Sequence, residues 1–264
     1  MQKLNTTVIG ILKKILFYLI LITIWALAYE FFVDYLNIWK PYTFPSPLSV
    51  IKTLIDLIAD NTLGIAIVAS IKRIIVGYVI SLAIGIVVGL TIVRSKYLDE
   101  NLSALILGLQ TLPSICWLPF AILWFGLNES AILFVIAVGS TFAIAISIES
   151  GIKNVNPLYL RAARTMGAHG LKIYWNVIIP ASLPSVISGM KQGWSFAWRA
   201  LMAGEMLSAT KGLGQVLMVG RDLADISQVM AVMIVIIILG LVVDKLIFGR
   251  IETNVRHRWG LDRA

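Results

Sequence analysis

The sequence predicts an all-α polytopic membrane protein with six transmembrane helices. Three observations carry that prediction. Of its 264 residues, 59% are apolar and only 14% are charged, and mean hydropathy is +0.89, a balance that few soluble domains share. Several apolar runs approach the ~20 residues a helix needs to cross a bilayer, whereas a barrel would show alternating segments of about 10 residues. Finally, basic residues concentrate in the segments that would lie inside the cell and acids lean to the other side, as the positive-inside rule requires. The net charge of +8 is therefore topology and not a nucleic-acid footprint. The single cysteine, Cys116, leaves no internal disulfide and no metal cluster. His169 and His257 lie far apart in the chain, so neither a metal pair nor a catalytic triad is visible.

Taken in order, Lys3, Lys13 and Lys14 precede an apolar run from Ile15 to about Phe32, the first crossing. Ala26-Leu27-Ala28 would also suit a secretory cleavage site, but Tyr29-Glu30-Phe31-Phe32 continues with the aromatic character of a membrane interface. From Asp34 to Asn61 the chain is mixed. Pro41, Pro45 and Pro47 stiffen it, Ser46 or Ser49 caps a short amphipathic helix through Leu57, and its surplus of acids places it outside the cytoplasm.

Thr62 to Val93 forms the second crossing and contains Lys72 and Arg73. Charges there are costly and face protein, water or headgroups. Either they draw an anion towards a pathway, or they snorkel or pair with an acid near the outer interface, which is the favoured reading. Gly77, Gly85 and Gly89 line one side and suit close helix packing. Arg94 and Lys96 mark the return to the cytoplasm.

Leu102 to about Phe125 contains Pro113 and Pro119, which imply a bent or interrupted helix. Broken helices often line transport pathways, so Gln110, Thr111, Ser114 and Trp117 are pathway candidates; the alternative is interhelical hydrogen bonding and packing. Asn128 to Ser130 reads as an outer turn, and Ala131 to Ser147 crosses back.

Val186 to about Leu207 carries Lys191, Arg199 and Glu205. Arg199, at mid-span, either faces a polar cavity that favours anions or is held by Glu205 or helix carbonyls. A spacing of six puts Arg199 and Glu205 on different helix faces. Both join the pathway candidates. Lys211 to Gln228 reads as an outer loop in which Gly212-Leu213-Gly214 is too short to be a phosphate loop. Val229 to Phe248 is the last crossing, and Arg250, Arg256, Arg258 and Arg263 in the tail put the C-terminus, like the N-terminus, in the cytoplasm.

The longest polar break runs from Pro157 to Pro184. Pro157 favours a helix start, and Leu158, Ala162 and Thr165 share a face of that short helix. Gly167-Ala168-His169-Gly170 reads as a turn and Leu171 to Ile179 as a second short helix ended by Pro180 and Pro184. The charges here, Arg161, Arg164 and Lys172, are all basic, which places the hairpin in the cytoplasm. Ala162, Ala163 and Gly167 are small enough for another backbone to come close, as a partner protein would.

Ala162-Ala163, three residues, Gly167, nine residues and Val177-Ile178-Ile179-Pro180 resembles the cytoplasmic coupling motif of binding-protein-dependent ABC importer permeases. That motif is usually Glu-Ala-Ala, three residues, Gly, nine residues, Ile-x-Leu-Pro, and the spacing fits without a gap. Arg161 stands where the family usually has Glu, so an acidic contact to the ATPase would be lost or reversed. Phe44-Pro45-Ser46-Pro47, Ser70 to Arg73 followed by Gly77, and Gly212-Leu213-Gly214 are similar to the sulfonate, taurine and nitrate branch of these permeases.

The resemblance covers about residues 44 to 262 and implies a type I ABC importer permease architecture with a retained first helix. The implied organisation is an N-terminal helix and extracytoplasmic segment (1–61), a permease core (62–250) with its coupling hairpin (157–184), and a cytoplasmic tail (251–264). Arg161, Ala162, Ala163, Arg164, Gly167, Ala168 and Pro180 would meet the ATPase. The implied partners are an ABC ATPase dimer, an extracytoplasmic substrate-binding protein and a second copy of this chain in the cell membrane, with no nucleic acid. ATP and magnesium would belong to the ATPase, leaving no cofactor and no metal on this chain. The implied cargo is a small anion of the sulfonate, taurine, nitrate or bicarbonate class. The chain itself contains no Gly-xxxx-Gly-Lys-Ser/Thr, so it is expected to be a transport subunit and not an enzyme. A self-sufficient secondary transporter or channel is the competing class; it needs an ion-coupling acid deep in a crossing, and only Glu205 is a candidate.

Overall fold

The structure, a computed structural model, describes residues 2–258, and no strand occurs among them. Arg263, expected in the tail, lies outside the described residues. The chain divides into two compact units.

The first unit comprises the residues up to Ile65 together with Val216–Val235. Helix α1 (Gln2–Tyr29) continues through a π-helical turn, Glu30–Tyr35, and so begins earlier and ends later than expected. Its apolar stretch packs on almost nothing: no residue of its most apolar window is buried, as suits a helix surrounded by acyl chains. Helix α2 (Pro47–Ala59) starts at the expected cap, Ser46, whose hydroxyl accepts from the Ser49 amide at 3.1 Å with Pro47 in the first turn. The Trp25 indole N–H donates to the Pro45 carbonyl at 3.1 Å, and the Ser227 hydroxyl to that of Ser49 at 3.2 Å.

The segment expected as an outer loop from Lys211 to Gln228 is instead largely helical. Between helix α3 (Thr62–Arg94) and this point lie the helices of the second unit, given below as α4 to α9. Helix α10 then spans Leu213–Asp222, and α11 spans Ile226–Val243 after a turn with Ala224 at φ 56°. The reason is apolar content: Leu213 and Val216 are buried one helical turn apart and overrule the glycines beside them. Gln228 ties the two helices by donating to the Val216 carbonyl at 2.8 Å.

The second unit, Ala66–Gln215 with the residues from Ile236 onward, holds most of α3, then α4 (Lys96–Gln110), a 3-10 turn (Ser114–Trp117), α5 (Leu118–Phe125), α6 (Glu129–Lys153), α7 (Pro157–Thr165), α8 (Leu171–Ile173) and α9 (Ile179–Leu207). The end of α11 leads through a π-helical turn (Asp244–Gly249) into α12 (Arg250–Arg258). Helix α6 is the hub, with 56% of its apolar window buried.

Two glycine stripes explain how its neighbours come so close. On α3, a Cβ at Gly77 or Gly85 would lie 2.7 Å or 2.8 Å from the side chain of Ile136 or Ile144, and one at Gly89 2.8 Å from the Ala145 carbonyl. On α9, a Cβ at Gly193 would lie 2.7 Å from Ile144. Small residues let helix backbones approach where lipid supplies no hydrophobic drive. The core closes with Tyr78, edge-on to Trp194 at 5.1 Å, whose hydroxyl donates to the Met190 carbonyl at 2.6 Å. At the end of α6, Lys153 bridges Glu149 at 2.8 Å and Asp99 of α4.

Among the described residues five helices are long and apolar enough to cross a membrane, and the α4–α5 pair, bent by 98° at Thr111–Pro113, makes six if it is counted as one span. The interruption expected between Gln110 and Pro119 is thus a right-angled break. The expected stop at Pro180 and Pro184 does not occur, for Leu171–Leu207 is one long helical run. Pro180 lies inside this run, directly after the π-helical turn Tyr174–Ile178, and its missing N–H forfeits one backbone bond there. Pro184 forfeits one backbone bond, and the buried Ser182, Ile187 and Gly189 around it hold the helix together through packing.

Candidate functional site

The break between α4 and α5 opens a cavity of about 390 Å³, walled by α6 and α9. Gln110, Thr111, Ser114, Trp117 and Arg199 all line it, so five residues singled out from sequence meet in one place. The break puts the first four there: Thr111 caps the last turn of α4 through its hydroxyl to the Gly108 carbonyl at 2.7 Å, and the 3-10 turn swings Ser114 and Trp117 inward. Gly139 of α6 permits this, because a Cβ there would come within 3.1 Å of Ser114 and 3.2 Å of Ala200.

Arg199 arrives from α9. Its Nε donates to the Ser195 carbonyl at 3.2 Å, and its guanidinium lies 4.6 Å over the Phe196 ring, a cation–π contact. Among the described residues no carboxylate pairs with it. Phe142, Phe196 and Ala203, not singled out from the sequence, add apolar walls. Phe196 and Ala203 lie at i−3 and i+4 from Arg199 and were legible as the same helix face; nothing local marks Phe142.

Glu205, grouped with these residues on sequence grounds, does not reach the cavity. It is fully buried and accepts from Arg73 Nη1 at 2.9 Å, from the Ser70 hydroxyl at 2.8 Å and from the Gly214 amide at 3.0 Å. Arg73 also donates to Glu129 at 2.9 Å and to the Lys211 carbonyl at 2.6 Å, while the Leu213 amide donates to Ser70 at 2.9 Å. Arg73 therefore pairs with acids, the favoured one of its two readings, and Lys72 beside it is exposed. This polar knot fastens the turn Lys211 to Gly214 onto α3 and α9. Gly212 and Gly214 are needed because a Cβ on either would strike Glu205.

The hairpin forms a third feature. Asn156 caps α7, accepting from the Leu158 amide at 2.9 Å, and no residue of α7 is buried. The Ala168 amide donates to the Ala163 carbonyl at 2.9 Å, Gly167 takes φ 83° and Gly170 φ 55°, and the space where a Gly167 Cβ would point is open. Arg161, Ala162, Arg164 and Gly167 are exposed, and Ala163, Ala168 and Pro180 are half-buried. Among them stand Met166 at 87% exposure, Leu171 at 75% and Trp175 at 68%. The stretch from Pro157 to Pro180 has no acid. Apolar side chains exposed on a basic protrusion suit contact with a protein or a membrane surface.

Comparison with known proteins places this arrangement in context. The family described as "Binding-protein-dependent transport system inner membrane component" matches residues 81–257. An ABC transporter permease protein of Methanocaldococcus jannaschii is 34% identical over 248 residues, covering 92% of this chain and 90% of that one. The taurine transport system permease protein of Escherichia coli is 28% identical, covering 85% and 82%. The nitrate import permease protein of Synechocystis is 29% identical, covering 77% of each. Among solved structures, an amino acid ABC transporter has the same fold with TM-score 0.64 at 18% identity, covering 78% of this chain and 97% of that one. An inward-facing methionine ABC transporter aligns with TM-score 0.58 at 21% identity, covering 70% and 92%.

Proposed function

The chain belongs to the inner-membrane components of binding-protein-dependent transport systems, the permease subunits of ABC importers, and from that membership we propose how its parts divide the work. It is a transport subunit: in this family a separate ATPase hydrolyses ATP, and a separate binding protein delivers the solute. In our reading the hairpin 157–184 is the lever on which the ATPase acts, through Arg161, Ala162, Ala163, Arg164, Gly167, Ala168 and Pro180. Two copies of the chain form the pathway, both termini are cytoplasmic, and the cavity at the α4–α5 break lies on the solute's route. The solute is a small anion, as the taurine and nitrate relatives suggest. ATP binding on the partner moves two hairpins and biases the helix bundles between two states.

The observation that supports this most is the hairpin itself, an exposed, acid-free protrusion with apolar side chains outward and a left-handed glycine at its tip. A self-sufficient carrier has no use for it, and its one candidate coupling acid, Glu205, is committed to Arg73 and Ser70.

Uptake by the reconstituted complex tests the reading. Gly167→Trp both fills the tip and strains a residue at φ 83°, so it is paired with Ala162→Trp, which adds bulk on an exposed helical position without strain. Both are expected to abolish ATP-dependent uptake while the purified permease remains folded. Uptake unchanged in Ala162→Trp would remove the hairpin from the coupling route.

A further inference from the structure

We propose that the cavity beside Arg199 is a second selection point within the permease itself, one that takes an organic anion with an apolar body and passes over small hydrated oxyanions. The inference rests on the reading of this cavity as part of the solute's route and adds what the cavity prefers.

Several polar groups around the cavity are unspent. Gln110, Ser114 and Trp117 make no side-chain hydrogen bond within the described chain, and Arg199 uses only Nε. Elsewhere in this unit several buried polar groups are tied: Glu205 to three donors, Ser140 to Ser81, Tyr78 to Met190. A cation held in a membrane span without a carboxylate is costly to keep, and here it sits on an aromatic face instead of an acid. Its two free Nη groups retain the fork that grips a carboxylate or sulfonate through two parallel bonds.

Size and walls decide the rest of the ligand. The volume of about 390 Å³ falls within the usual range for small-molecule sites, about 300–1,000 Å³. Trp117 and Phe142 lie 6.4 Å apart by ring centroid, and Phe196 carries the guanidinium on its face. Such walls return free energy only to a ligand that brings apolar surface of its own. A bare oxyanion would give up its hydration for one guanidinium and a few neutral donors, and would gain nothing from the aromatic walls.

The test is direct binding of benzenesulfonate to the full chain in lipid nanodiscs, followed by saturation-transfer NMR, with nitrate as competitor. Saturable binding is expected, weakened about ten-fold or more in Arg199→Gln by loss of the charge-assisted pair, with no displacement by equimolar nitrate. Arg199→Lys is expected to bind between the two, because a point charge cannot stack on Phe196 or form the fork. Should Arg199→Gln fail to assemble, Phe196→Leu decides the matter: benzenesulfonate is expected to lose its advantage over methanesulfonate. Absence of benzenesulfonate binding, equal binding in Arg199→Gln, displacement by nitrate at equal concentration, or an unchanged preference in Phe196→Leu would each overturn the proposal. Ala162→Trp is expected to bind benzenesulfonate as the parent chain does while losing uptake. Loss of coupling and loss of selection are thereby read separately.

Discussion

Two arginines within apolar helices of the same unit, Arg73 on α3 and Arg199 on α9, have met opposite fates. Arg73 is 6% exposed and bound to two carboxylates and a backbone carbonyl. Arg199 is exposed to a cavity, rests on Phe196 and pairs with no carboxylate among the described residues. Both charges are expensive in a membrane span. The first is neutralised by partners that fix a turn, so its role is structural. The second keeps its hydrogen-bonding capacity for something outside the chain. Charge in a membrane helix signals function only when the fold leaves it unspent.

The largest effect is expected at Glu205. Glu205→Ala leaves Arg73 buried beside an empty space and is expected to cost about 3–5 kcal/mol, read as a collapse of the thermal unfolding temperature in nanodiscs. Next comes Gly214→Ala, whose Cβ would lie 2.9 Å from the Met206 amide and 3.0 Å from the Met202 carbonyl. Backbone cannot step aside as a side chain can, so a loss of about 1–3 kcal/mol is expected, again by thermal unfolding. Arg199→Gln should behave in the opposite sense: unfolding shifted by less than about 0.5 kcal/mol, but uptake by the assembled importer reduced about ten-fold. A large stability loss there would make Arg199 a second Arg73. The smallest effect is expected at Glu129, whose carboxylate is 66% exposed though it touches Arg73. Glu129→Gln should cost at most about 1 kcal/mol and matter less as salt rises.

A separate comparison concerns the hairpin, where Arg161 replaces the Glu of the coupling motif. Arg161→Glu is expected to lower ATP-dependent uptake with the chain's own ATPase, because an exposed basic residue on an acid-free protrusion suits an acidic groove. Uptake measured with that ATPase checks it, and an increase would mean that the groove is basic.

Much of this was legible in the residues. Composition and the placement of charge identified a polytopic helical protein, since a bilayer imposes length and polarity rules that act locally. The start of the hairpin at Pro157 and its turn at Gly167 to Gly170 could be read from the chain because proline and glycine act on their immediate neighbours. Gln110, Thr111, Ser114, Trp117 and Arg199 were gathered by the same local logic, polar residues beside a proline break and a lone mid-span cation, and they line one cavity. Where local rules met packing they failed. Proline-based reasoning ended a helix at Pro180 that the packed α9 carries on, and glycine-based reasoning made a loop of α10.

The polytopic helical class and the start of the hairpin at Pro157 were therefore readable in the chain, because each depends on residues adjacent in sequence or one helical turn apart. Which charges are spent depends on contacts between residues far apart in the chain. Glu205 lies 132 residues from Arg73 and 135 from Ser70, and the aromatic walls around Arg199, Trp117, Phe142 and Phe196, come from three different elements. No local pattern specifies such meetings; they follow from how closely α3 and α9 can pack on α6.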